Sequence, residues 1–117
     1  MTAQDVLSAA LALIGEGFVG EAAQVLRLID LLLWEMLPAE NARRAVCGDP
    51  QREMLEPLGT MNEEIMFDLA LLRGVLPWGL AAALLAENLD PRADMMRLRF
   101  EDRLDKLTPY VMEVEEE

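Results

Sequence analysis

This 117-residue chain contains no histidine, and the first candidates in it for metal binding or nucleophilic chemistry are its carboxylates and one thiol. Cys47 is the single cysteine, so an intrachain disulfide and a Cys–His nucleophilic pair are both excluded. The acids Glu63 and Glu64, like Asp102 and Asp105, lack thiolate neighbours and do not have the spacing of a calcium loop. No phosphate-binding glycine motif, nucleophile elbow or zinc knuckle occurs. The sequence therefore predicts no catalytic residue, no metal site and no cofactor, and we expect a protein that is not an enzyme.

The charge balance limits the partners that the chain can bind. It has 22 acidic and 10 basic side chains, which give a net charge of −12. Phosphate backbones and anionic lipid surfaces repel such a chain, so we expect neither direct nucleic-acid binding nor membrane association. Acidity still suits one arrangement with DNA, in which the protein lines a passage that DNA crosses without adhering.

The ends and apolar runs of the sequence predict an intracellular location. The first residues, Met-Thr-Ala-Gln-Asp, lack the basic region of a signal peptide. The longest charge-free apolar run, residues 74–86, is shorter than the ~20 residues that a membrane-spanning helix needs. A single cysteine is typical of a reducing compartment.

Helical spacing dominates the elements that must position these side chains. Thr2 and Asp5 form a capping-box pattern at the start of a first helix, which three glycines then end. A second helix is predicted from about residue 21 to residue 36, with Pro38 as its stop. It is apolar nearly all round, so we expect it to be central in the domain and to reach a subunit interface through Leu31 and Trp34.

Between Pro38 and Met61 the periodicity disappears. Prolines and glycines interrupt this stretch and leave room only for short helical turns near residues 39–46 and 51–55. A connection of this length inside one domain is uncommon and often functional. Two alternatives stay open: the segment only crosses the ends of the helices, or it binds a partner.

The second half of the chain predicts a kinked helix and a final helix. Asp68 is placed to cap an apolar helix, and Gly74 with Pro77 should kink it, because a proline removes a helical hydrogen bond and crowds the preceding turn. Asn88 ends this helix, and Asp90-Pro91 is a typical helix start.

The last helix has an apolar stripe and a basic stripe. Four basic residues share one face and are candidates for a subunit interface: Arg92, Arg99, Arg103 and Lys106. The alternative is a solvated face that pairs with neighbouring acids such as Asp102, four residues before Lys106. The methionines at 54, 61, 66, 95 and 96 likewise either form an adaptable interface or fill gaps in the core.

These elements together predict an all-α fold. We expect a compact bundle of about four helices with a long irregular crossing and an extended C-terminal tail. The helical domain should span residues 1–107, and residues 108–117 should form an acidic arm. Within that arm four residues are too apolar for a solvating tail and are predicted to bind a partner: Tyr110, Val111, Met112 and Val114.

The order of the motifs resembles the head–tail adaptor (connector) proteins of tailed bacteriophages and prophages. A leucine-rich helix ending in Trp34-Glu35 precedes the irregular crossing and Asp68-Leu69-Ala70-Leu71-Leu72. The sequence LPWGLAAALLAENLDP follows at Leu76–Pro91, and Arg99-Phe100-Glu101 lies in the closing helix. The resemblance covers most of the chain, and its specific part is Asp68–Leu104.

The resemblance implies a structural virion protein. It implies a homo-oligomeric ring, commonly dodecameric, that docks beneath the portal protein, continues the DNA channel toward the tail and meets the next tail-completion (stopper) protein. The location would be the neck of the virion, after assembly in the host bacterial cytoplasm. By position, residues 108–117 would enter the portal.

A second class of function is an acidic helical inhibitor that mimics DNA and occupies a nucleic-acid-binding partner. Such a mimic should space its carboxylates along one exposed face at phosphate-like intervals. In this sequence the acids are scattered and interleaved with arginines, which argues against a mimic.

Overall fold

The computed structural model describes residues 1–15, 17–18 and 20–109 of the chain. Its helices are α1 (Ala3–Ile14), α2 (Ala22–Cys47), α3 (Leu69–Gly74), α4 (Leu76–Glu87) and α5 (Ala93–Leu107). Because only Val75 separates α3 from α4, the described part of the chain follows the path of four helices, as predicted, with one isolated bridge between Thr2 and Glu64 in place of a sheet. The all-α bundle is confirmed.

The predicted caps explain where several helices begin and end. Thr2 Oγ1 accepts from the Asp5 N–H at 3.2 Å, and the Asp5 carboxylate accepts from the Thr2 N–H at 2.9 Å, which completes the capping box of α1. Asp68 Oδ1 accepts from the Ala70 N–H at 2.8 Å at the start of α3. Helix α5 begins at Ala93, two residues after the predicted start at Pro91, and Asp90 Oδ1 accepts from the Arg92 N–H at 2.9 Å.

The core lies around α4, which packs on α1, α2 and α5. Leu76, Leu80 and Leu85 of α4 are fully buried, as is Phe100 of α5. Gly79 permits the close approach of α5 and α2: a Cβ at this position would lie 2.7 Å from Phe100 Cδ1 and 2.9 Å from Leu32 Cδ2. Gly79 thus allows α4 to pack closely against α5 and α2.

The predicted kink at Gly74 and Pro77 is confirmed as a break in the helix. Val75 leaves the helical conformation, with φ −128° and ψ −53°, and Pro77 falls in the first turn of α4. A proline is well tolerated there, because the first-turn N–H groups have no helical acceptor. The break therefore lets Pro77 occupy a buried position without the cost of an interior proline.

The predicted end of the second helix at Pro38 is wrong, since α2 continues to Cys47 and ends at Gly48 in the left-handed conformation, φ 77°. Pro38 lies on the exposed side of α2, where water can hydrate the carbonyl that loses its partner. The next residues on the inner side, Ala39 and Glu40, are buried and hold the helix against the domain. The predicted turn at residues 39–46 is thus part of α2, and the turn predicted at 51–55 is not helical.

Among the described residues, Leu69–Glu87 is long and apolar enough to cross a membrane by length and composition alone, with a mean hydropathy of 1.8. Of its most apolar stretch, 61% is buried inside the domain, as expected for a core helix.

Candidate interaction surface

An exposed apolar face runs along α2, opposite the side that packs into the core. Leu31 is 62% exposed and Trp34 is 49% exposed, and Pro38 and Ala45 continue the same face at helical spacing. We call these four residues the α2 face. A shallow groove of 590 Å³ follows its second half, lined by Trp34, Leu37, Pro38, Asn41, Ala42, Ala45 and Gln51.

The opposite side of α2 explains why this helix is apolar all round. Val25, Ile29, Leu32 and Met36 are buried in the core, so they satisfy the ordinary amphipathic pattern. Leu31 and Trp34 lie outside that pattern and remain in solvent. Large exposed apolar side chains gathered on one helix face are typical of a surface that packs on another molecule. Leu31 and Trp34, the two α2 residues among those predicted for a subunit interface, are therefore accessible in the monomer.

The predicted basic face of α5 makes its contacts within the chain. Arg103 Nε donates to the Gly74 carbonyl at 2.6 Å, and its guanidinium lies 4.6 Å from the centre of the Trp78 ring. Arg99 lies over the same ring at 5.8 Å, and Lys106 pairs with Asp102 at 2.9 Å. The contacts of Arg99 and Arg103 join the kink between α3 and α4 to α5, whereas the Lys106–Asp102 pair lies within α5. A role of Arg99, Arg103 and Lys106 between subunits stays a prediction.

Arg92 ties the start of α5 to the end of α1. Its guanidinium pairs with Asp90 at 2.9 Å, donates to the Ile14 carbonyl at 3.2 Å and lies 5.7 Å from the centre of the Phe18 ring. The hydrogen bonds from Arg92 lower the pKa of Asp90, and the same pair raises the pKa of Arg92. Arg92 therefore holds the start of α5 against the end of α1 within one chain, and its role between subunits stays a prediction.

A buried carboxylate on α2 is a feature that the sequence did not reveal. Glu40 is 2% exposed, and its Oε2 accepts from Arg44 Nε at 2.8 Å while its Oε1 accepts from the Asp68 N–H at 2.8 Å. Arg52 Nη1 lies 4.0 Å from the same carboxylate. One buried carboxyl group thus joins α2 to the start and to the end of the irregular segment 48–68. The only sequence signal was an acid on the core side of α2. Because Pro38 was interpreted as the end of the helix, Glu40 was not placed on that side.

Arg43 and Asp68 complete this network beside Glu40. Arg43 Nε lies 3.0 Å from Asp68 Oδ2, and Arg43 Nη1 donates to the Leu107 carbonyl at 2.9 Å. Burial raises the pKa of Asp68, but the contact with Arg43 and the bond from the Ala70 N–H outweigh it, so the pKa is lowered overall. A cavity of 310 Å³ opens beside these residues, with Cys47 on its exposed rim. These contacts hold α2 against the end of α5 and against the irregular segment that ends at Asp68.

The remaining predicted sites have the following positions. The four residues of the predicted partner-binding arm, Tyr110, Val111, Met112 and Val114, lie outside the described residues. Within the described residues, no group of three or more acidic, cysteine or histidine side chains is arranged to hold a metal ion.

In comparisons with known proteins, no protein-family model, no curated protein and no solved structure matches this chain.

Proposed function

We propose that this chain is a head–tail adaptor of a tailed bacteriophage or prophage, whose copies form a ring beneath the portal protein. The observation that carries the proposal is the α2 face: a helix that is buried on one side and exposes Leu31 and Trp34 on the other is suited to pack on a neighbour. The motif order from Asp68 to Leu104 supplies the resemblance to adaptors.

The acidity of the chain supports the same function. A net charge of −12 in each copy would give the inner wall of a ring a potential that repels the DNA backbone, so DNA would pass without adhering. The same charge makes the copies repel one another and opposes closure of a ring. We therefore expect the ring to form only with the help of its partner, the portal.

Native mass spectrometry of the chain alone and with isolated portal protein tests the proposal. We expect monomers or small oligomers alone and a higher, portal-bound oligomer in the mixture. If portal neither binds the chain nor promotes a higher oligomer, the adaptor function is wrong.

Two double variants locate the lateral contact. Leu31→Ser with Trp34→Ser should prevent the higher oligomer, because it removes the apolar side chains of the α2 face. The matched control is Met95→Ser with Leu98→Ser, which removes comparably exposed side chains, 62% and 65%, from the outer side of α5. Equal effects of the two double variants would show that the α2 face has no special part in assembly.

The C-terminal arm needs its own test. Deletion of residues 109–117 should leave the melting temperature nearly unchanged and abolish attachment to portal, because the arm would contribute to the partner contact and little to the core. A truncated chain that joins the assembly with unchanged affinity would place the docking surface elsewhere.

A further inference from the structure

The irregular segment 48–68 covers the side of α2 and leaves a groove of 280 Å³ that is lined by both apolar and charged side chains. The floor of the groove is Leu33 and Ile65, which are 5% and 4% exposed. At its rim Met54 and Met66 are 78% and 72% exposed. Methionines are flexible and polarizable, so they adapt to the shape of an apolar partner. We call this the crossing groove.

Hydrogen bonds hold the walls of the crossing groove in place. The Asn41 side chain bonds both backbone groups of Arg52, at 2.8 Å and 2.7 Å, and so anchors the segment to α2. Asp30 Oδ1 accepts from the Leu58 N–H at 3.1 Å, and the Met61 carbonyl accepts from the Gln4 N–H at 2.9 Å. A segment tied to α2 and to α1 at these points presents a preformed groove, which reduces the ordering cost of binding.

The groove is surrounded by negative charge. Segment 48–68 contains six acidic residues and a single arginine, and Glu56, Glu63 and Glu64 line the groove itself. Glu64 pairs with the N-terminal ammonium at 2.7 Å, whereas Glu56 and Glu63 have no ion pair among the described residues.

The positive charge of Arg52 is already used inside the domain. Its guanidinium donates to the Met66 carbonyl, lies 5.3 Å from the centre of the Phe67 ring and approaches the buried carboxylate of Glu40. The open side of the groove therefore combines apolar methionine side chains with carboxylates that lack a cation.

We propose that the crossing groove is a docking site for a basic amphipathic segment of a partner protein, with apolar side chains that enter between Met54 and Met66 and with Lys or Arg that pair with Glu56 and Glu63. Charge complementarity selects this occupant. A second copy of the chain, at −12, is repelled, and so are nucleic acids and anionic membranes. The proposal does not depend on the adaptor function.

Fluorescence anisotropy with a labelled Leu/Lys amphipathic peptide of about four helical turns tests this directly. A second peptide, in which Ser replaces every Leu at the same charge, separates the groove from bulk attraction to an acidic protein. We expect the Leu/Lys peptide to bind at least about tenfold more tightly than the Ser/Lys peptide. Equal affinity of the two peptides, or no binding of either, would overturn the proposal.

Paired variants show where the peptide binds. Met54→Ser with Met66→Ser should weaken Leu/Lys binding about tenfold, and the matched control Met95→Ser with Leu98→Ser less than about twofold. Glu56→Gln with Glu63→Gln removes two charges and retains the Glu63 oxygen that accepts from the Gly59 N–H at 3.3 Å. Its matched control is Asp94→Asn with Asp105→Asn on α5. Equal losses in either matched pair would place the peptide outside the groove, and circular dichroism melts confirm that each variant is folded.

Discussion

The guanidinium of Arg103 donates a 2.6 Å hydrogen bond to the carbonyl oxygen of Gly74, the carbonyl that loses its helical partner at the break between α3 and α4. In a continuous helix this oxygen would accept from the Trp78 N–H, but that N–H bonds the Val75 carbonyl at 3.1 Å. Arg103 also stacks on the Trp78 ring. One side chain therefore supplies the hydrogen bond that the Gly74 carbonyl lacks at the break and holds the break against α5.

Arg103→Ala should lower the free energy of unfolding by about 1–2 kcal/mol, because it removes a charge-assisted hydrogen bond and a cation–π contact from a partly solvated site. Urea unfolding followed by circular dichroism measures the change. The control is Arg99→Ala, which removes a contact with the same ring and no bond to the break, so its loss should be smaller. Equal losses would show that the carbonyl bond contributes nothing.

Gly79→Ala should destabilise the protein by about 1–3 kcal/mol through overpacking, because the new methyl group would lie within 3 Å of Phe100 and Leu32. Gly59→Ala is the matched control, since its Cβ would meet only Glu63 Oε1 at 3.6 Å. Thermal unfolding of the two variants provides the comparison. A stable Gly79→Ala protein would contradict the close packing of α4 on α5 and α2.

Glu40→Ala should cost about 3–5 kcal/mol of stability, because it leaves the Asp68 N–H and Arg44 without their buried acceptor. Glu35→Ala is the same change on the same helix, but the Glu35–Arg97 pair is solvent-exposed and should be worth at most about 1 kcal/mol. Chemical unfolding distinguishes the two. Similar losses would mean that the Glu40 network does not hold the crossing.

Pro38→Ala should raise the free energy of unfolding by about 1–3 kcal/mol, because it restores a hydrogen bond inside α2 and removes the clash of an interior proline. Pro77→Ala should give no such gain, since Pro77 occupies the first turn of α4 and is buried. Differential scanning calorimetry measures both. A gain at position 77 and none at 38 would contradict the helix bounds described above.

Asp30→Asn should leave the free energy of unfolding unchanged or raise it at pH 7. The difference in this free energy from the wild type should shrink as the pH falls. Burial raises the pKa of Asp30, the Leu58 N–H opposes the shift, and Glu63 adds to it. A carboxyl group whose pKa is higher in the folded state than in the unfolded state stabilises the fold below its unfolded pKa. This stabilisation is lost as the pH rises through the folded pKa.

Asp90→Asn is the control of opposite sign, because Arg92 lowers the pKa of Asp90. The stability from this carboxylate is present above its unfolded pKa and is lost as the pH falls through the folded pKa. Asp90→Asn should therefore be less stable than the wild type at neutral pH and equal to it in acid. Stability curves that shift in the same direction for both variants would contradict these assignments.

Local patterns determined much of the fold. The cap residues Thr2, Asp68 and Asn88, the kink at Gly74 and Pro77, and the end of α5 at Leu107 depend on short-range hydrogen bonds and on backbone sterics. Such interactions involve residues only a few positions apart, so the amino-acid sequence alone determines them. The exposure of Leu31 and Trp34 also followed, from an apolar content larger than one helix face can bury.

Only the tertiary structure decided the role of Pro38, of Glu40 and of the basic side chains on α5. The cost of Pro38 inside α2 is offset by burial of the residues that follow it, which depends on helices distant in sequence. Glu40 becomes the centre of a network because the crossing brings Arg52 and Asp68 back to α2. Likewise Arg103 finds its acceptor 29 residues away, at Gly74. Long-range pairing of charges depends on how the elements pack, and the spacing of residues within one helix does not encode it.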